Sequence, residues 1–144
     1  MSNYPTIFIK IKLMSKARPR VTRNGTFMPK NYQLWRKEVA KQMKDQWTLP
    51  PIDTPIAVHI SCAGAARGDV DNYMGAIFDT GNKIIWSDDR ANIIQFASID
   101  FTKAKEADSF IRITVSDIGL KEARIDCIDR VFDYDIKCLS LIHI

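Results

Sequence analysis

Histidine and cysteine are scarce in this chain, with two of the first and three of the second among 144 residues. Cys62, Cys127 and Cys138 have no CxxC spacing, and His59, three residues before Cys62, falls on the other face of the same strand, which argues against a zinc site or a disulfide framework and leaves free thiols as the expectation. His59 has no partner at ligand spacing and reads as structural. Long apolar runs are missing as well. Nothing approaches the ~18 consecutive apolar residues of a membrane span, and no charged segment leads into an apolar one as in a secretion signal. No membrane partner is expected, and the cytoplasm is the expected location. Internal repeats and low-complexity tracts are also absent, and an apolar content of 46% suits one soluble domain with a real core.

The charge that is present is unevenly distributed. Residues 1–50 carry eleven Lys or Arg against Glu38 and Asp45, a net of +9, while residues 51–144 carry ten against fifteen, a net of −5, together the overall +4. A basic half of this kind suits a polyanion, whose phosphates release counterions when Lys and Arg approach. A solvated basic face is the plainer alternative.

Periodicity outlines a small α+β domain. Thr6 to Leu13 alternates Ile7, Ile9, Ile11 and Leu13 with Phe8, Lys10 and Lys12, the period of a half-buried strand. Asn24-Gly25 inside KARPRVTRNGTFMPK predicts a hairpin carrying Lys16, Arg18, Arg20, Arg23 and Lys30. From Asn31, a plausible N-cap, Trp35, Val39, Met43 and Trp47 recur every four residues, which predicts an amphipathic helix ended by Pro50-Pro51. Further strands are predicted over Thr54 to Cys62, Asn92 to Phe101 and Ser109 to Ser116, with a helix opening near Asp69 to Asn72 and stopping at Gly81-Asn82. The order predicts a mixed sheet packed with two main helices. The domain should occupy 1–117. Residues 118–144 form a tail of uncertain origin, and its last six, LSLIHI, look like a translated sequencing adapter.

Five aspartates fall between residues 68 and 89 in GDVDNYMGAIFDTGNKIIWSDD. Asp69 and Asp71 can converge where an extended segment enters a helix, although an N-cap and a first-turn acid would explain them equally. Asp88-Asp89 adds carboxylates from the next loop, unless it is only a solvated turn. Carboxylate oxygens without His or Cys select hard ions such as Mg²⁺, which can bind a scissile phosphate and orient a water.

These residues together resemble the RusA family of Holliday junction resolvases. RPRVTRNGTFMP with Tyr32 and Trp35 is similar to the family's basic arm and first helix, GDVDN to its DxDN motif and IIWSDD to its DD motif, over about residues 5–117. The resemblance implies a homodimeric, Mg²⁺-dependent endodeoxyribonuclease, with Mn²⁺ as the substitute ion, that resolves four-way DNA junctions by paired cuts. It implies Asp69, Asp71 and Asp89 as catalytic, metal-holding carboxylates, with Asn72, Asp79 and Asp88 in support. Lys16, Arg18, Arg20, Arg23 and Lys30 become DNA contacts. Phe27, Met28 and Tyr73 are candidates for wedging into an opened junction, with packing as their ordinary fate.

The sequence departs from the family at one telling position. The family usually places a lysine four residues after the second aspartate of DxDN, and here that residue is Gly75. Lys83 is the candidate replacement. The alternative is a junction-binding protein with weak or no nuclease activity.

Overall fold

Four strands make one mixed sheet because three segments alternate apolar and polar residues at the period of a pleat. The computed structural model describes residues 4–117. In chain order these form β1 (Ile7–Lys10), a hairpin of β2 (Arg20–Thr22) and β3 (Gly25–Phe27), α1 (Lys30–Gln46), β4 (Ile56–Ala63), α2 (Val70–Gly81), β5 (Ile94–Thr102) and β6 (Phe110–Ser116). The main sheet runs β1-β6-β4-β5, with β4 and β5 parallel and the other pairs antiparallel. This is the α+β architecture that the periodicities predict. The tail expected over 118–144 lies outside the described residues.

One face of the sheet is dry. Ile7, Ile9, Val58, Ile60, Cys62, Ile111 and Ile113 point into a core that α1 fills with Tyr32, Trp35, Val39 and Met43, and α2 with Ala76 and Ile77. The every-fourth stripe of α1 is therefore core, with Trp47 buried just past the helix end. Cys62 is buried there, and its thiol is pushed up to about 12, chiefly by desolvation, so it is inert as a nucleophile.

Most boundaries shift by one to three residues from the periodic reading, and two of the shifts have a visible cause. Asn31 does not cap α1: the helix begins at Lys30 because Pro29 already offers its carbonyl to Gln33 N at 3.1 Å, and Asn31 Oδ1 only meets the adjacent Tyr32 N. β1 stops at Lys10 rather than Leu13, since its pairing with β6 covers only residues 7–10. Its outer edge is closed by side chains. Gln46 accepts from Phe8 N and donates to Phe8 O, both at 2.7 Å, and Gln42 does the same at Lys10 at 3.0 and 3.2 Å. Beyond β1, Trp35 Nε1 holds the Lys12 carbonyl at 2.9 Å and sets the path of the chain toward the hairpin.

Parallel strands need a crossover, and α2 supplies it between β4 and β5. The aspartate-rich segment is that crossover.

Candidate active site

The loop from β4 into α2 is pinned from within the helix. Tyr73 Oη accepts from Arg67 N at 2.8 Å and from Gly68 N at 3.0 Å, while its buried ring meets Phe101 edge-on at 5.4 Å. Hydroxyl and ring are both engaged, so in this fold Tyr73 packs and pins the loop, the ordinary fate of such a residue. This anchoring sets Asp69 at the N-cap and Asp71 in the first turn, both exposed, with no side-chain cap bond from Asp69. The helix N-terminus favours their negative charge.

At the other end of α2 the chain turns through Gly81 into a buried indole. Trp86 is fully buried, donates from Nε1 to the Phe78 carbonyl at 3.1 Å and packs edge-on against the Phe78 ring. That anchor presents Ser87, Asp88 and Asp89 beside the helix end. Asp88 spends one oxygen on Asp89 N at 2.8 Å and the other on Arg90 Nε at 2.9 Å, which makes it a brace for the loop. Asn82 Nδ2 reaches Asp89 Oδ1 at 3.5 Å. Partial burial, the hydrogen bond with Asp88 and the nearby charge of Asp79 raise the Asp89 carboxyl above its ordinary value. Asp79 is paired with Lys16, Nζ to Oδ2 at 2.7 Å.

The five aspartates thus lie at both ends of one helix. Eight residues from Asp71 to Asp79 put about 12 Å of helical rise between them at 1.5 Å per residue. Among the described residues no three His, Cys, Asp or Glu side chains are drawn close enough to hold a metal ion. Asp89 is the common point at the far end: it meets Asp88 and Asn82 directly and feels the charge of Asp79. Asn72 contributes its backbone, its carbonyl accepting from Lys16 N at 2.8 Å.

The basic residues sit on the arm as expected. The hairpin of β2 and β3 is exposed throughout, with Gly25 at φ 119° in the turn, so Arg20 and Arg23 face solvent, as do Arg18 before it and Lys30 at the start of α1. Phe27 is exposed and Met28 half-buried. Lys83 is exposed in a left-handed turn at φ 66°, its backbone N donating to the Trp86 carbonyl, and has no ion pair among the described residues. Lys16 differs from the rest of the arm, because its ammonium lies within the acid cluster.

Three contributors escaped the periodic reading. The Gly81-Asn82 pair signals a helix stop, yet Asn82 Oδ1 is also buried without a hydrogen-bond partner among the described residues. The Tyr32 hydroxyl is likewise buried and unpartnered, and its ionisation is made harder first by burial and then by Asp79. Arg36 lies over the Tyr32 ring and donates to the Asp79 carbonyl at 3.4 Å. The i, i+4 spacing of Tyr32 and Arg36 is the one local signal that pairs them.

No helix among the described residues is long and apolar enough to cross a membrane. No curated protein matches the chain. A family model described as endodeoxyribonuclease RusA matches residues 10–116, a span running from the end of β1 to the end of β6 and including the arm, α2 and the DD loop. The chain belongs to the RusA family of endodeoxyribonucleases, hydrolases of DNA phosphodiester bonds that act on Holliday junctions.

Proposed function

We propose that the protein is a divalent-metal-dependent resolvase that acts on four-way junctions as a homodimer, with Mg²⁺ as the working ion and Mn²⁺ as its substitute. The observation that carries this reading is that the exposed basic arm is fastened at its root to the acidic helix, through Lys16 N on the Asn72 carbonyl and Lys16 Nζ on Asp79. A phosphate backbone drawn to Arg18, Arg20, Arg23 and Lys30 is thereby directed toward the carboxylates. Phosphate contacts of this kind position DNA without reading its sequence, which suits recognition of a branched shape.

The residues present suit a hard cation. Asp89 is crowded by Asp79 and Asp88, and the unpartnered Asn82 Oδ1 adds a buried oxygen to the same loop cluster. Mg²⁺ is commonly held by one or two carboxylates with waters and substrate phosphates, so a closed cage of three acids is not a requirement. Asp69 and Asp71 at the start of α2, and Asp89 at its end, are the residues that would hold divalent ions, at two places a helix length apart within one protomer. When bound, such an ion polarises the phosphate and makes its water a better nucleophile. Asp88 braces the loop, Asp79 fixes Lys16, and Asn72 ties the arm to the helix.

The test is a labelled four-way junction beside a matching linear duplex, with Mg²⁺, Mn²⁺ or EDTA, using wild type and Asp71→Asn. Paired, metal-dependent cuts on the junction alone are expected. The variant should lose cleavage while keeping or strengthening junction binding, since it removes a metal-holding group and also a charge that repels DNA. Junction binding without cutting by wild type, or equal cutting by Asp71→Asn, would overturn the assignment. Sedimentation of the complex checks for two protomers per junction.

A further inference from the structure

We infer that Lys16 supplies the cation of the cleavage site, carried in from the arm and laid across Gly75; the inference rests on the resolvase reading above. Three contacts trace the side chain along α2. Its backbone N donates to the Asn72 carbonyl at 2.8 Å, its Cδ lies 3.3 Å from where a Cβ on residue 75 would stand, and its Nζ meets Asp79 Oδ2 at 2.7 Å.

Asp71, Gly75 and Asp79 are spaced i, i+4, i+8, so they form one stripe on the helix. Glycine at the middle of that stripe leaves a shallow bed, and Lys16 fills it. Any side chain at 75 would press on the lysine methylenes. The stripe therefore carries its positive charge without a lysine of its own, and Lys83 is not needed for it.

The ammonium is available to DNA. The Lys16 side chain is 42% exposed, and among the described residues only the one of its three N–H donors that meets Asp79 is committed. In hydrolysis the water oxygen forms a bond to phosphorus and loses a proton, while the bond from phosphorus to the 3′ oxygen breaks and that oxygen takes up a proton. Lys16 keeps its own protons throughout. It contributes positive charge to the phosphate oxygens as negative charge builds on them, a contribution that typically amounts to about 10²–10³ in rate for a single well-placed donor.

The experiment compares wild type, Lys16→Ala and the double variant Lys16→Ala/Gly75→Lys. Single-turnover junction cleavage, junction affinity in EDTA, Mn²⁺ affinity without DNA and thermal stability are measured for each. Lys16→Ala should cut about 100-fold or more slowly. Its junction affinity should fall only several-fold, and its Mn²⁺ affinity should rise because Asp79 has lost its ammonium. The double variant restores a lysine to the stripe from the helix side and should regain at least tenfold in rate and return Mn²⁺ affinity toward wild type. Cleavage by Lys16→Ala at the wild-type rate, a loss that merely tracks weaker binding, or no recovery in a stably folded double variant would each overturn the inference and leave the resolvase reading standing. If wild type itself fails to cut, the resolvase reading falls, and the Mn²⁺ affinities alone decide whether Lys16 and residue 75 share this site.

Discussion

Replacing Gly81 with alanine should destabilise the protein and disturb its acidic loop together. A Cβ on Gly81 would stand 2.5, 2.9 and 3.1 Å from Cζ2, Cε2 and Cη2 of Trp86. Those atoms belong to a rigid, fully buried ring whose Nε1 is fixed on the Phe78 carbonyl, so the ring cannot swing aside as a flexible chain end would. Forcing a methyl into such packing costs roughly 1 to 3 kcal/mol. Alanine in place of glycine at a helical position returns roughly 0.5 to 1 kcal/mol. The balance runs from about zero to about 2.5 kcal/mol and centres on a loss of about 1 kcal/mol, which for a domain of this size lowers Tm by roughly 3 to 6 °C. The backbone of Trp86 leads directly into Asp88 and Asp89, so junction cleavage should fall in the same variant at temperatures where it remains folded. Calorimetry and a cleavage time course measure the two effects. A variant melting at or above the wild-type temperature would refute the argument, because it would mean that the indole yields freely.

Two further outcomes follow from the charges. The Asp89 carboxyl holds its proton more tightly in the folded state than in the unfolded chain, so wild type loses stability as pH rises from the ordinary value of 3.8 through the raised one, and that loss persists at neutral pH. Asp89→Asn lacks this loss: in EDTA its Tm advantage over wild type should be small near pH 3 and reach a plateau by pH 7, and a difference independent of pH would refute the cause. Arg20→Ala/Arg23→Ala should leave Tm unchanged and lower the slope of log affinity against log salt by about 0.9 per lost phosphate contact, or ~1.8 in all. An unchanged slope would show that the exposed hairpin does not touch DNA.

The sheet and its helices were legible in the sequence because their signals are periodic. Val39 and Met43 fall inward for the same reason that Ile7 and Ile9 do, each matching the repeat of its element. Pairing is another matter. Lys16 and Asp79 are 63 positions apart, and no pattern in KARPR announces that this lysine, unlike Arg18 or Arg20, will fold back onto α2. The vacant position at Gly75 is readable and nearness in sequence favours Lys83, but the cation that lies against Gly75 comes from Lys16, 59 positions away. Tyr73 shows the same limit, since burial of its ring and capture of two backbone amides depend on a loop whose course only the assembled fold defines. His59 is held by Ser98 and Asp100 across β5, in keeping with its structural reading.

The two glutamines along the outer side of β1 have a consequence for how the sheet can meet other chains. Their amides answer the backbone groups that a neighbouring strand would otherwise seek, so α1 serves as a ladder rung for rung, built from side chains. Among the described residues this leaves β5 as the one border of the main sheet without such a lining. A sheet sealed on one border can be extended only from the other, so two copies joined there would end the array rather than propagate it.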